Sequence, residues 1–388
     1  MPKKTIPLFA LGFRPFYLLA AFWSVVAILE WLMELSGSGI RGIGSIPGIQ
    51  WHAHEMIFGF ATTVVAGFSL TAVRSWTGLE TPKGRSLMLL AIFWIAGRLG
   101  PLFSSYFVII DILFLPIIAM IIGKLILQRN MVRNLFLPLI LSVLGVLNGL
   151  FYMSAYGHMS IDSNAPLISS LFLIVMIEIM IGGRVIPSFT ANAIVGLKQF
   201  RNKSFAALAV ALSAASFLLW TLFPVSVITA LICILTGILQ FILLLGWKPL
   251  AARSKPILWI LHAAYFWISL GFILLGLSSL GLASMYIALH AFGIGATGGL
   301  IIGMITRTAM GHTGRLIKAG AIEVSCYVLV QVTAVIWMVA HLTVGVWFHF
   351  TIGLAGICWC LAFILYIYKY FPWLTKPRLD GQPGYWRY

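Results

Sequence analysis

The 388-residue sequence has few charged residues and very few acids. Only 9% of its residues are charged, and nine acidic side chains stand against 25 lysines and arginines. Hydrophobic residues make up 61% of the chain and the mean hydropathy is +1.04; both values lie far outside the range of soluble domains. The composition therefore excludes an ordinary soluble enzyme. It predicts an all-α, polytopic transmembrane helical bundle that forms a single transmembrane domain over residues 1–388.

Cysteine is also scarce, and its spacing excludes several kinds of site. The four cysteines are Cys233, Cys326, Cys358 and Cys360, and none belongs to a CxxC or CxxCH motif. A disulfide framework, a zinc ribbon and covalently attached c-type haem are therefore unsupported.

Long apolar runs replace the missing charge. A helix that crosses the hydrocarbon core needs about 20 mostly apolar residues. Twelve such runs are predicted, with ten as the alternative count, and tryptophans near their ends, such as Trp23 and Trp51, are interpreted as interfacial side chains. The predicted spans are 16–35, 53–73, 86–103, 106–127, 134–156, 165–186, 204–222, 225–246, 257–279, 282–305, 320–341 and 346–369.

The basic residues fall almost entirely on one side of these spans. Arg41 and Arg98 are the exceptions, and the remaining lysines and arginines, from Lys3 and Lys4 to Arg387, occupy alternate connections and the termini. Positive-inside bias predicts that both termini are cytoplasmic. The net charge of +16 is then a topological signal, so membrane lipids and not nucleic acids are the expected surroundings.

Several ionisable residues fall within the apolar spans, where they are costly and usually functional. Arg98 and Asp111 lie at similar distances from the turn between spans three and four, so an intramembrane ion pair is predicted. Such a pair either serves a site or pins the helical hairpin. Glu178 in span six is either a protonated lone acid or a partner of Arg184.

The segment Trp51-His52-Ala-His54-Glu55-Met opens span two and offers ligands that suit copper, iron or zinc. Residues two apart on a helix point about 200° apart. His52 and His54 therefore share one site only if the first turn is irregular; otherwise one of them is a neighbouring or interfacial group. Two interfacial histidines in water are the alternative interpretation.

Further histidines form two predicted layers. His290 in span ten joins the layer of His52 and His54, together with His341 and His349, which flank the turn between spans eleven and twelve. His262 and His312 form the cytoplasmic layer. Arg307 and Arg315 beside them either clamp propionates or phosphates or are ordinary positive-inside residues.

These motifs in order resemble the NnrS family of bacterial inner-membrane proteins. The resemblance rests on Gly12-Phe-Arg14-Pro-Phe, the Trp51 to Gly59 block, Gly97-Arg98 with Asp111, and Gly183-Arg184-Val-Ile-Pro-Ser-Phe-Thr190. It continues through His262-x-x-Tyr265-x-Trp267, His290-Ala, Arg307, Gly311-His-Thr-Gly-Arg315 and Pro377-Arg378-Leu-Asp380-Gly.

The resemblance implies a twelve-span, haem- and copper-containing protein of the bacterial inner membrane that acts in nitric oxide metabolism, denitrification or nitrosative stress resistance. Non-covalent haem b agrees with the lack of a CxxCH motif. On this basis the predicted metal ligands are His52, His54, His290 and His262. Glu55, Arg307, His312 and Arg315 are the predicted cofactor neighbours, with Glu55 also a candidate proton carrier.

Three functional classes stay open at this point. The first is a haem and copper protein, with an unidentified electron donor, acting on nitric oxide or a related nitrogen oxide, and whether it is an enzyme is undecided. The second is a secondary transporter or exporter of a metal, haem or small molecule. The third is a membrane gas or redox sensor.

Overall fold

A computed structural model describes residues 6–39, 46–341 and 345–381. Within them the regular structure is helical, and twelve helices are long and apolar enough to cross a membrane. This confirms the predicted fold class and the count of twelve. The helices are α1 Phe13–Leu35, α2 Gly48–Thr77, α3 Arg85–Leu102, α4 Ser105–Gln128, α5 Val132–Ala155, α6 Asn164–Ala193, α7 Lys203–Leu222, α8 Val227–Gly246, α9 Pro256–Ser279, α10 Met285–His312, α11 Ala321–Ala340 and α12 Val346–Thr375.

Four helices exceed their predicted spans by four or more residues. α2, α6 and α12 have 30 residues each and α10 has 28. At 1.5 Å per residue, a 30-residue helix is about 45 Å long, against a hydrocarbon core of about 30 Å. Apolar runs mark only the hydrocarbon-spanning part of such helices, so the predicted spans end where polar residues begin although the helix continues.

Two of these long helices contain a π-helical segment, in which the backbone hydrogen bonds skip one extra residue. The segments are Glu55–Ala61 in α2 and Ala291–Gly298 in α10. Such wide turns are rare and often occur at functional sites. Both begin directly after a histidine of the predicted metal ligand set, His54 and His290.

The chain forms two compact units. Unit 1 comprises residues 1–170, 305–317 and 363–388, and unit 2 comprises residues 171–304 and 318–362. The single transmembrane domain and the cytoplasmic placement of both termini stay predictions. Lys3, Lys4, Arg41 and Arg387, which contributed to the topology prediction, lie outside the described residues.

Close packing of α3 against α4 positions the charged residues of unit 1. A Cβ atom on Gly97 would lie 3.0 Å from the Cα atom of Asp111, so a side chain at this position would push the two helices apart. Glycine here lets the backbones approach, as in small-residue contacts between membrane helices. The neighbouring Arg98 is thereby held at the depth of Asp111.

Candidate functional site

Three ionisable side chains meet inside unit 1. Glu55 on α2, Arg98 on α3 and Asp111 on α4 are at most 5% exposed. Arg98 NH1 donates to Glu55 Oε2 over 2.9 Å, and Arg98 NH2 forms an ion pair with Asp111 Oδ1. The ion pair expected from the spacing is thus present, and Glu55 is a third member that the spacing did not indicate.

Three neutral side chains complete this cluster, and sequence reasoning missed all of them. Trp23 Nε1 on α1 donates to Glu55 Oε2 over 2.5 Å. Asn148 Nδ2 and Tyr152 OH on α5 donate to Asp111 Oδ2 over 3.1 and 3.0 Å. The available signal was the spacing of four between Asn148 and Tyr152, which places an amide and a phenol on one face of an apolar helix. Trp23 is buried and was wrongly interpreted as interfacial.

His54 lies at the centre of the cluster, and both of its ring nitrogens are engaged. Nδ1 lies 2.8 Å from Glu55 Oε1, and Nε2 lies 2.8 Å from Asn148 Oδ1. The Asn148 amide is oriented by its donation to Asp111, because an ionised carboxylate only accepts. Both nitrogens of His54 therefore lie within hydrogen-bond distance of side-chain oxygens. The imidazole also stacks on Phe151, with ring centroids 4.8 Å apart.

The first π-helical segment packs tightly against Trp23 of α1. A Cβ atom on Gly59 would collide with the Trp23 ring and lie 2.7 Å from Glu55 Oε2. Glycine is therefore required where the Trp23 indole reaches the carboxylate. A cavity of about 10 Å³ adjoins the cluster, lined by Trp51, Pro101 and Phe151 besides cluster residues; a space of that size holds about one water molecule.

His52 contacts different residues from those that surround His54. Its ring stacks on Trp31 of α1, with centroids 5.0 Å apart and planes at 23°. Its Nδ1 atom is buried and has no hydrogen-bond partner among the described residues. The residues around it, 48–54, form a regular α-helix, so the two histidines point in different directions, as helical geometry requires.

His262 on α9 is the histidine of unit 2 with the most defined environment. It is 3% exposed, and its Nε2 atom lies 2.9 Å from Thr190 Oγ1. The Thr190 hydroxyl itself donates to the Ile186 carbonyl, so it accepts from His262 Nε2. Nδ1 then carries the lone pair, and it is buried without a hydrogen-bond partner in the described part of the chain.

Two further histidines of unit 2 flank one tryptophan. The ring of His290 on α10 stacks on Trp337 of α11 at 3.5 Å between centroids, and His341 lies 4.1 Å from the same ring. The Nδ1 atoms of His290, His341 and His349 each contact a backbone carbonyl of their own helix, at 2.8, 3.2 and 3.0 Å. Both imidazoles therefore contact the same tryptophan ring.

An arginine cluster, consisting of Arg14, Arg315 and Arg378, lies at the end of unit 1 that the sequence predicts to be cytoplasmic. Arg14 NH1 donates to the carbonyls of Leu374 and Lys376 over 3.0 and 2.8 Å. Arg378 pairs with Asp380 over 2.9 and 2.6 Å, and the carboxylate raises the pKa of Arg378.

The loop after α10 contributes the rest of this end. Arg378 NH1 donates to the carbonyl of His312 over 3.2 Å, and the Arg315 guanidinium lies 4.2 Å from the Trp373 ring centroid. His312 packs against Phe13, and its buried Nδ1 has no hydrogen-bond partner among the residues described. Arg307 is half-buried on the last part of α10.

Glu178 on α6 lies in unit 2, beside Thr297 in the second π-helical segment. Its Oε2 atom is buried without a hydrogen-bond partner, and Glu178 forms no ion pair with any residue that the structure describes. The partnership with Arg184 that the spacing allowed is therefore not formed.

The described residues do not assemble a multi-ligand metal site. No group of three or more histidine, cysteine, aspartate or glutamate side chains in this part of the chain is placed to hold a metal ion. His52 and His54 belong to unit 1, and His262 and His290 to unit 2. The described residues fit a cofactor held by one imidazole better than a metal site with several protein ligands. His52, His262 and His312 each present a buried ring nitrogen without a hydrogen-bond partner among these residues.

The fold and the buried ionic cluster define a polytopic helical membrane protein with a polar site inside its bundle. A family model described as NnrS protein matches residues 7–378. The chain therefore belongs to the NnrS family and is a nitric-oxide-related membrane protein at that level. A comparison with curated proteins finds no match.

Proposed function

We propose that the protein binds haem b and copper in the bacterial cytoplasmic membrane and acts in nitric oxide metabolism or nitrosative stress resistance. The observation that carries this proposal is the family match over residues 7–378. Its extent matters, because the match includes all twelve helices and every predicted ligand. The buried imidazole nitrogens supply independent chemical support.

Among the predicted ligands, His262 is the best suited to a single axial bond. The hydrogen bond to Thr190 fixes its tautomer and leaves Nδ1 as an acceptor in an apolar setting. A partner on the second ring nitrogen orients a metal-bound histidine and raises its basicity. His262 would hold the iron of a b-type haem, and the haem would supply the binding of a small gas molecule. His52 and His312 are the next candidates on the same ground.

His54 and Glu55 have a different role in this proposal. Both nitrogens of His54 and both oxygens of Glu55 are already engaged. A metal at His54 would have to displace Glu55 or Asn148. We therefore propose that these residues position the first turns of α2. His290 is proposed as a copper ligand, and this assignment rests mainly on the family resemblance.

Optical spectroscopy tests the proposal directly. The full-length protein is expressed with sufficient haem and copper, purified in detergent and analysed for haem and for metal content. A Soret band with reducible b-type features, stoichiometric copper, and a shift of the reduced spectrum on adding nitric oxide are expected. Colourless, metal-free protein that is folded by size-exclusion chromatography would overturn the proposal and favour transport.

Histidine variants locate the axial ligand. His262→Ala should lower the haem content severalfold, because it removes the imidazole that would hold the iron. His158→Ala is the matched control, since His158 is exposed in the α5–α6 connection, and its haem content should not change. Equal haem content in both variants would exclude His262 as the ligand.

A further inference from the structure

The arginine cluster has an unbalanced charge. Arg14 is 1% exposed and Arg378 is 7% exposed, so neither is well solvated. The end of α12 brings Arg14 and Arg315 together, because Arg14 donates to the Leu374 carbonyl and the Arg315 guanidinium lies 4.2 Å from the Trp373 ring centroid. Asp380 pairs with Arg378, whereas Arg14 and Arg315 contact no acidic side chain among the residues described. Counted over the described residues alone, three guanidinium groups and one carboxylate leave an excess of two positive charges.

The cluster also has spare hydrogen-bond donors. A guanidinium carries five N–H groups in a planar fork. Arg14 uses NH1 for two backbone carbonyls, while its Nε atom is buried and has no hydrogen-bond partner in the described structure. The described hydrogen bond of Arg315 is a long one, 3.4 Å, to the Thr313 carbonyl. A cation–π contact with the Trp373 ring holds the guanidinium of Arg315 at this position.

Charge and donors together select the chemistry of the ligand. Arginine forks match the oxygens of phosphate groups in paired, charge-assisted hydrogen bonds. We propose that the arginine cluster binds a phosphate-type oxyanion, a site that does not depend on haem or copper. One such group would reduce the excess charge and accept from the buried donor of Arg14.

The surroundings favour a phospholipid headgroup as the source of that phosphate. The cluster lies where α1 begins and α12 ends, at the end of these helices that the sequence predicts to be cytoplasmic. Exposed apolar side chains adjoin it in the chain, Leu316 beside Arg315 and Leu379 beside Arg378, and could contact acyl chains. Basic pockets at the cytoplasmic ends of membrane helices bind anionic headgroups in this way. Free phosphate is the other source of the same chemistry.

Two binding arms distinguish these sources, using full-length protein purified from haem-depleted cells. Native mass spectrometry measures retention of phosphatidylglycerol against phosphatidylcholine with the same acyl chains. Thermal unfolding measures stabilisation by inorganic phosphate against chloride at equal ionic strength. Arg315→Gln should weaken binding about tenfold, the loss expected for roughly one charge-assisted contact. Arg129→Gln, which changes an exposed arginine, should have no effect.

The outcomes decide as follows. Selective retention of phosphatidylglycerol that Arg315→Gln abolishes supports a lipid site, and stabilisation by phosphate that the same change abolishes supports a free phosphate site. No selectivity in either arm, or an equal loss in Arg129→Gln, overturns the proposal. If Arg315→Gln does not fold, Arg315→Lys replaces it, since it keeps the charge but loses the fork and should bind with intermediate affinity.

Discussion

The two π-helical segments are packed in a similar way, but the tryptophan beside the first donates to a charged group and the tryptophan beside the second donates to a neutral one. Each follows a histidine, and each contains a glycine against which a tryptophan packs, Gly59 with Trp23 and Gly295 with Trp267. In unit 1 the Trp23 indole donates to a carboxylate, Glu55, which also pairs with Arg98. In unit 2 the Trp267 indole donates to the neutral amide oxygen of Gln331 over 2.8 Å.

The carboxyl groups show what this difference means. Glu55 is surrounded by a guanidinium, an indole and an imidazole, so its charge is compensated by direct contacts. Glu178 near the second segment has no cationic partner among the described residues. Buried ions are tolerated when each is paired and hydrogen-bonded. Unit 1 is therefore organised by mutually dependent charges, and the polar residues near the second segment are not.

The largest expected effect comes from removing the guanidinium that joins Glu55 and Asp111. Arg98→Ala leaves Glu55 and Asp111 without their guanidinium, which should lower the free energy of unfolding by about 3–5 kcal/mol. Reversible unfolding in mixed micelles measures the change. Arg129→Ala, at an exposed arginine, should change it by less than about 0.5 kcal/mol. A loss below about 1 kcal/mol for Arg98→Ala would mean that the cluster is not a cooperative unit.

A matched pair of substitutions compares the two acids. Glu55→Gln keeps the shape of the side chain but removes the charge that Arg98 requires, so a loss of about 2–3 kcal/mol is expected. Glu178→Gln breaks no ion pair and should cost less than about 1 kcal/mol. The same unfolding measurement applies to both. Equal losses would contradict the contrast drawn between the two segments.

The smallest expected effect tests a single hydrogen bond to the charged cluster. Tyr152→Phe removes the hydroxyl that donates to Asp111, while Arg98 and Asn148 still contact that carboxylate. We expect a loss of about 1.5 kcal/mol, near the lower end for a charged acceptor. Tyr156→Phe is the control, since this half-buried ring stacks on Tyr152 outside the cluster. If Tyr156→Phe costs as much, the hydroxyl of Tyr152 contributes nothing specific.

The sequence predicted those parts of the fold and site that depend on periodicity and charge. Apolar run length gave the twelve helices, and equal distance from a turn gave the pairing of Arg98 with Asp111. Asn148 and Tyr152 escaped notice because neutral polar residues are common in membrane helices. Trp23 was misplaced because a tryptophan near a helix end is usually interfacial.

The direction of the α2 histidines was harder to predict. The two-residue spacing predicted that His52 and His54 diverge in a regular helix. It did not predict which of them enters the core. That choice depends on Asn148 and Phe151 from α5, which contact His54, and on Trp31 from α1, which stacks on His52. Such long-range contacts leave no periodic signal in the chain.

The contact of Arg14 with Leu374 joins residues 360 positions apart, and this has a consequence for biosynthesis. A growing chain folds from its N-terminus as it is made. The first helix therefore enters the membrane long before the carbonyls that accept from Arg14 have been synthesised. Unit 1 is completed only when the last helix and its tail arrive, so truncations at the C-terminus should damage the part of the protein that was made first.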